Sequence, residues 1–332
     1  MTKKHKTSFG IFTESVGLYF SNFKQFLKYM SFPVWGQILG LGLIFTVTCI
    51  YTQNLPKLLE RYPNLNNSSS LLILSLLIIL PGLMVYLKAF WDYLIAYGSI
   101  NSMLDNMLKS GRVYDFDAHK KLIQKRSASF IGLWLLLGLF SIIAIIPLFW
   151  IICGVLGVYF VLVFQVFTFE EDKTPIGCFK RSMELILKHF GMTFLLITLS
   201  AVLTYLFIPQ LIVKLFDGIG ITSVLADWIK PLFSQIPLVQ IPNLGAITDR
   251  QLGTIVVQSL VAQVLIQYTL PLRSILWSMW YKELSKNYEP ALKNTGQHRK
   301  KRPSEKLMEE SHKKYGKKQL DKNILKRADE KD

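Results

Sequence analysis

Six apolar stretches alternate with lysine-rich segments along this chain, and no other feature restricts its fold so tightly. They cover residues 32–51, 71–90, 130–149, 150–169, 192–211 and 252–272. Each approaches the ~20 apolar residues with which a helix crosses ~30 Å of hydrocarbon. One water-soluble core of a 332-residue chain could not bury all six. The expected fold is therefore all-α: a polytopic integral membrane protein with six transmembrane helices.

The distribution of charge sets the expected topology. The chain carries a net charge of +16, which by itself would suit nucleic acid. Yet 31 of its 38 lysines and arginines fall in residues 3–28, 109–126, 173–188 and 282–331, between alternate ends of the apolar runs. The loops at the other ends hold only Lys57, Arg61, Lys230 and Arg250. By the positive-inside rule both termini are cytoplasmic and the number of crossings is even. Nucleic acid is not an expected partner. The chain divides into a basic N-terminus (1–30), a six-helix domain (31–285) and a basic tail (286–332). The first thirty residues are basic and amphipathic, unlike a cleaved leader, so the first span reads as an uncleaved anchor. Cys178 reads as a free cytoplasmic thiol, whereas Cys49 and Cys153 near outer helix ends leave a bridge conceivable. Asn66 and Asn67, followed by Ser68 and Ser69, match a glycosylation acceptor pattern on the outer side.

Short amphipathic helices are expected at the cytoplasmic surface ahead of the odd-numbered spans. In the first, Phe9, Phe12, Val16, Tyr19, Phe23 and Phe26 recur at helical spacing as one aromatic face. Ahead of the fifth span, Thr174 and Pro175 form a start signal, and Ile176, Phe179, Met183, Ile186 and Phe190 form the stripe. Both segments are too charged to span and too apolar on one side to float free, which suits the membrane surface. Phe12, Ser15, Leu18 and Phe23 match Phe179, Ser182, Leu185 and Phe190 at constant offset, with Asn22 opposite His189. A fainter copy passes through Phe116, His119 and Leu122. Three repeats of surface helix, span, outer turn and span are therefore expected. Among the outer connections, Pro147 marks a tight turn, and residues 221–233, with Trp228, are expected to lie on the outer leaflet. Pro231, Pro237 and Pro242 exclude one continuous helix through the long fifth connection.

Polar residues inside the spans are the first places to seek chemistry. Lys88 and Asp92 stand one helical turn apart at the inner interface beside Trp91, Tyr93 and Tyr97. A snorkelling ion pair in an aromatic belt is the plainer reading, a proton relay the sharper one. Gln258, Gln263 and Gln267 in the last span read as interhelical hydrogen-bonding groups or as a polar path. Gly36 and Gly40 let helices approach closely, and Pro81, Pro209 and Pro271 kink or end theirs. Glu170, Glu171 and Asp172 read as a solvated acidic loop rather than a metal site. In the tail, Arg299, Lys300, Lys301, Arg302, Lys313, Lys314, Lys317 and Lys318 form blocks that attract anionic headgroups. No Walker loop, GxSxG, HExxH or spaced cysteine pair occurs, so no catalytic residue, cofactor or metal is expected.

The run Glu170-Glu171, Phe179-Lys180-Arg181-Ser182, Leu185 and His189-Phe190, leading into a new span, resembles a broad bacterial group. It contains six-span membrane proteins, including the membrane domain attached to some glycerophosphoryl diester phosphodiesterases. The resemblance covers the architecture of residues 9–285 and implies a bacterial cytoplasmic membrane and a lipid-linked role. There is no room for a phosphodiesterase barrel. The expected function is a non-enzymatic scaffold or accessory component in phospholipid-related membrane processes, with membrane lipids and a membrane protein as partners. A transporter or permease subunit with a path near the last span is the alternative, and a membrane-embedded enzyme ranks behind both.

Overall fold

The computed structural model describes residues 7–63, 67–110, 113, 115–170, 172–233 and 248–286. Among these, every regular element is helical. In chain order they are α1 (Ser8–Ser21), α2 (Phe23–Arg61), α3 (Ser68–Ser110), α4 (Phe116–Lys125) and α5 (Ser127–Ile143). A 3-10 turn (Pro147–Phe149) leads into α6 (Trp150–Phe160), α7 (Val163–Phe169), α8 (Pro175–Ile186) and α9 (Phe190–Ala201). A π-helical segment (Val202–Phe207) precedes α10 (Ile208–Gly218), α11 (Ile221–Phe233), α12 (Asp249–Tyr268) and α13 (Leu270–Ser285). Asn66, Glu171, Pro237, Pro242 and the tail with Arg299, Lys300, Lys301, Arg302, Lys313, Lys314, Lys317 and Lys318 lie outside the described residues.

Among the described residues, five stretches are long and apolar enough to cross a membrane: Phe23–Arg61, Ser68–Leu104, Pro147–Phe169, Phe190–Gly218 and Asp249–Ser285. The expected third span is the exception. α5 has only 17 residues, and it passes the test only together with α4, from which it is bent by 77°. Along the first half of α3, Leu72, Ile73, Leu76, Leu77 and Met84 are all exposed. A water-soluble chain does not carry so large an apolar face, and a membrane span does. The fold is thus all-helical, with the make-up of a multi-pass membrane protein.

Local chemistry accounts for the starts and breaks. Thr7 and Thr174 each accept a hydrogen bond from the backbone N–H three residues on, Gly10 and Gly177, at 3.2 Å. Thr248 and Gln251 close a reciprocal capping box at the start of α12, satisfying donors that a helix end leaves open. Pro209 has no N–H to offer Tyr205, and the turn before it widens into the π-helical segment. All three cysteines are free, so the conceivable bridge between Cys49 and Cys153 is not formed.

The chain forms two compact units. The first consists of Met1–Phe26, Ile95–Ser200 and Pro271–Asp332. Its centre is α7, whose seven residues, Gln165 and Thr168 among them, are all buried. Phe130 packs on Phe164 and Phe167 with ring centroids 5.9 and 5.6 Å apart, and Trp134 packs on Phe164 at 4.5 Å.

The short helices expected ahead of the odd-numbered spans are present as α1, α4 and α8, and the apolar stripes of α1 and α8 are divided between buried and outward positions. In α1 the buried positions are Ser8, Ile11, Ser15 and Tyr19, while Phe9 and Phe20, with Phe23 at the start of α2, point outward. In α8 they are Cys178, Ser182, Leu185 and Ile186, while Ile176 and Met183 are exposed. Small hydroxyls let a helix sit close to its neighbour, and large apolar groups facing outward suit a lipid surface.

The second unit consists of Leu27–Leu94 and Ala201–Leu270. α2 and α3 touch through glycine. A Cβ on Gly40 would lie 2.6 Å from the Tyr86 nitrogen and 2.8 Å from the Gly82 carbonyl, and one on Gly36 would lie 2.7 Å from the Ala89 side chain. The close approach expected of this glycine pair is the one seen. α11 has the expected bounds and packs along α12, where the Ala226 carbonyl comes within 3.0 Å of a Cβ built on Gly253.

Candidate functional site: a buried polar joint in the first unit

The joint draws on three helices. Tyr97 and Asn101 are one turn apart on α3, Ser274 and Ser278 are one turn apart on α13, and Gln165 lies in the middle of α7. Spacing of four residues places each pair on one helix face. Asn101 Oδ1 accepts from the Ser274 hydroxyl, from Ser278 Oγ at 3.0 Å and from Gln165 Nε2 at 3.4 Å. Gln165 Nε2 also donates to the Tyr97 hydroxyl at 3.1 Å. Asn101, Gln165, Ser274 and Ser278 are all fully buried. Asn101 Nδ2 and Gln165 Oε1 have no hydrogen-bond partner among the described residues. A donor and an acceptor are therefore left over inside buried space, an arrangement that is expensive unless the fold requires it.

The three surface helices rest on the surroundings of this joint in a repeated manner. Ser15 of α1 donates to the Met279 sulfur of α13 at 3.3 Å. His119 of α4 is hydrogen-bonded through Nδ1 to the Ser102 hydroxyl of α3. Ser182 of α8 donates to the Tyr159 carbonyl of α6 at 2.6 Å. In each case one polar side chain of a short helix bonds to a neighbouring helix. Asn22, in the break between α1 and α2, accepts from the Val113 N–H at 2.9 Å.

The C-terminal end of α7 is tied down by charge. Arg126 donates to the Phe167 carbonyl at 2.6 Å and lies 4.0 Å above the Phe167 ring. This satisfies a carbonyl that the helix end leaves open and places a cation at the negative end of its dipole. Glu170 accepts from Arg181 at 3.0 Å and from the Tyr281 hydroxyl at 2.8 Å, and Tyr281 stacks on Phe169 at 5.1 Å. Burial works against the charge of Arg181, but the hydrogen bond and negative charge of Glu170 outweigh it and raise its pKa. The expected acidic loop is thus partly an ion-paired anchor. Trp280 donates to Thr193 at 3.0 Å, closing the joint on the α9 side.

The titratable groups nearby are tuned for neutrality. Burial lowers the pKa of His119 to about 4 against an opposing pull from Asp115. Burial likewise pushes the Cys178 thiol up to about 11. At neutral pH neither carries charge. Among the described residues no group of three metal-ligating side chains occurs.

The expected ion pair and the three glutamines of the last span lie in the second unit. Lys88 and Asp92 form an ion pair at 2.6 Å, with the lysine 60% exposed and the aspartate 8%. Lys88 also lies 6.0 Å above the Phe32 ring. Gln258 donates to Asp217 at 2.9 Å, Gln263 is exposed, and Gln267 is buried and accepts from Gln37 at 3.5 Å. The three glutamines therefore have three different environments. The joint itself escaped notice because its members sit at the edges of the apolar runs; the available signals were Gln165 inside an otherwise apolar stretch and the four-residue spacing of Ser274 and Ser278. No protein-family model matches the chain, and no curated protein or solved structure shows significant similarity to it.

Proposed function

We propose that this chain is a non-enzymatic, multi-pass component of a bacterial cytoplasmic membrane that organises phospholipid at the surface where both termini lie. The carrying observation is the double-faced build of its surface helices. Their small polar faces are engaged by the protein, while Phe9 (68% exposed), Phe20 (62%), Ile176 (72%) and Leu187 (66%) point away from it. Lys24, Lys28, Lys180 and Lys188 are exposed alongside them. Apolar side chains flanked by lysine are the pattern with which a helix lies in an anionic interface. The resemblance to membrane domains of glycerophosphoryl diester phosphodiesterases points the same way. The parallel docking of Ser15, His119 and Ser182 supports reading the chain as three repeats of surface helix and paired spans. A transport path is the weaker reading, because Gln258, Gln263 and Gln267 do not share a lining.

Two measurements test the proposal. Tryptophan placed at Phe20 or Leu187 should be quenched by brominated lipid in reconstituted vesicles, more strongly with phosphatidylglycerol than with phosphatidylcholine. Material solubilised gently should retain anionic phospholipid above its share of the membrane. Unquenched tryptophans, or retained lipid no richer in anionic species than the bulk, would count against it.

A further inference from the structure

The middle pair of apolar runs is not built like the other two pairs. No charged residue occurs between Ser127 and Phe169, and the turn joining the two runs is Ala144-Ile145-Ile146-Pro147-Leu148-Phe149. The corresponding connections of the other pairs carry Lys57 and Arg61, and Lys230 and Arg250. Leu148 (81%) and Ile151 (83%) at the tip are exposed.

α8 fixes the level at which this hairpin enters the membrane. It packs beside α5 and α6 within the first unit. Pro175 lies 3.3 Å from a Cβ built on Gly132, Ser182 donates to the Tyr159 carbonyl at 2.6 Å, and the Phe179 and Phe160 rings are 4.9 Å apart. α8 and the residues just after it carry Lys180, Glu184 and Lys188, all exposed, and such charges stay out of hydrocarbon. Gly132, Tyr159 and Phe160 therefore stand no deeper than the headgroup boundary. From that level α5 runs eleven residues on to Ile143, and α6 begins at Trp150, nine residues before Tyr159. At ~1.5 Å per residue these arms are ~16 and ~14 Å long, about half of the ~30 Å of hydrocarbon. Pro147–Phe169 has the length of a span only because it includes α7, which is buried inside the protein. α5 reaches that length only with α4, from which it is bent by 77°.

We propose that α5 and α6 form a re-entrant hairpin that enters from the side of both termini, turns at Pro147 near mid-bilayer, and meets the acyl chains of one leaflet. The turn suits that place. The N–H groups of Ala144, Ile145, Ile146 and Phe149 bond to carbonyls three or four residues back at 3.0–3.2 Å, and that of Trp150 bonds to the Pro147 carbonyl. Pro147 has no N–H to satisfy. Drawing the hairpin fully across would pull the charges of α8 into hydrocarbon, which costs more than the few carbonyls left open in the turn. The chain then crosses four times, by Phe23–Arg61, Ser68–Leu104, Phe190–Gly218 and Asp249–Ser285. Four is even, so residues 109–126 and 173–188 stay with the termini, and in the middle repeat the paired spans become one hairpin. The inference rests on α8 lying at the membrane surface, but not on any preference for anionic lipid.

The test uses the full chain with Cys49, Cys153 and Cys178 changed to alanine and single cysteines introduced as Leu148→Cys, Ser68→Cys or Lys188→Cys. A membrane-impermeant maleimide added outside spheroplasts should label Ser68→Cys and neither of the others. In inverted vesicles it should label Lys188→Cys. Leu148→Cys should react at least tenfold more slowly than the accessible cysteine in both preparations, and fully once the protein is denatured. A nitroxide on Leu148→Cys should collide with oxygen in preference to a nickel chelate and report a depth of ~15 Å, half the hydrocarbon. Ile145→Cys, on the same turn, should give the same readings. Labelling of either turn cysteine from outside at the rate of Ser68→Cys overturns the proposal, since the hairpin then crosses. Labelling from the inner face, or a nitroxide close to the outer boundary, overturns it equally. Loss of anionic-lipid enrichment at the surface helices would leave all these labels as they are, so this proposal and the function proposed above fail separately.

Discussion

Replacing Asn101 by leucine isolates what the buried joint contributes. Its side-chain oxygen accepts from Ser274, Ser278 and Gln165. After substitution Ser274 can still turn to the Tyr97 carbonyl, 3.4 Å away, and Gln165 keeps the Tyr97 hydroxyl. Ser278 loses the acceptor it has in the native joint. One orphaned hydroxyl costs ~1–3 kcal/mol and two weakened hydrogen bonds up to ~1 kcal/mol each, so the loss should be about 3 kcal/mol. Hydrogen exchange of the peptides carrying α7 and α13 measures this directly, since 1.4 kcal/mol is tenfold in protection: about a hundredfold should disappear. The companion variant changes Asn101 to leucine and both Ser274 and Ser278 to alanine. With the two serine donors removed as well, no further polar group is stranded, and most of the protection should return. If the triple variant is as unprotected as the sum of its parts, or if Asn101→Leu alone costs no more than Asn54→Leu on exposed α2, the joint does not hold the helices as argued.

Further consequences are accessible to the same methods. His119 is buried neutral with a pKa of about 4, below its ordinary value of 6.5. The unfolded state therefore takes up the proton first as pH falls, and stability of the α4 region is lost between about pH 6.5 and 4, by up to ~3 kcal/mol. Exchange of residues 115–126 should quicken across that window, and His119→Gln should flatten the dependence. Gly40→Ala places a methyl group against the backbone of Tyr86 and Gly82, whereas Gly42→Ala meets nothing within 4 Å. The first should lower the thermal midpoint by the equivalent of ~1–3 kcal/mol, and the second should leave it unchanged. Cys178, buried with its thiol raised to about 11, should resist alkylation at pH 8 until the protein is unfolded, whereas half-buried Cys49 should not need unfolding to the same extent.

What could be read from sequence and what could not divide along physical lines. Apolar runs report burial in lipid or protein without needing partners, so α2, α3, α6–α7, α9–α10 and α12–α13 were visible as spans, and the Thr174-Pro175 start of α8 was visible as local chemistry. Helix rotation is another matter. An amphipathic stripe says that one face avoids water, but lipid and protein both satisfy it. In α1 the aromatic stripe could pack on headgroups or on the bundle, and the structure splits it: Tyr19 is buried with Ser15, whereas Phe9 is outside. The third span is shorter than its apolar run because residues 144–149 leave the helix at Ile143, with Pro147 opening a 3-10 turn, and it reaches membrane-crossing length only with the bent α4. The joint was missed because a hydrogen-bond network depends on which helices meet, and Asn101, Gln165 and Ser278 are far apart in the chain.

The placement of that joint also explains why so polar a core can exist here. α2 has 39 residues and α3 has 43, or ~58 and ~64 Å at ~1.5 Å per residue, about twice the ~30 Å of hydrocarbon. Asn101 lies eleven residues past the end of its apolar run at Phe90, about 16 Å farther along the helix. Ser278 likewise lies past Leu272. Both therefore stand towards the ends of their stretches, and Gln165 is four residues from the end of its own at Phe169, so water exclusion adds to the packing there in a way that the middle of a bilayer does not allow. Under that drive, amides and hydroxyls are sequestered together with Phe130, Phe164 and Phe167. The segments within lipid rely instead on close glycine contacts such as Gly40 on Gly82. Denaturants that act through water should accordingly unfold the first unit before they separate α2 from α3, so exchange protection of the peptides carrying Gly40 and Gly82 should persist after protection around Gln165 is gone. If protection at Gln165 lasts longer than that at Gly40 and Gly82, the division of labour between the two solvents is the wrong way round.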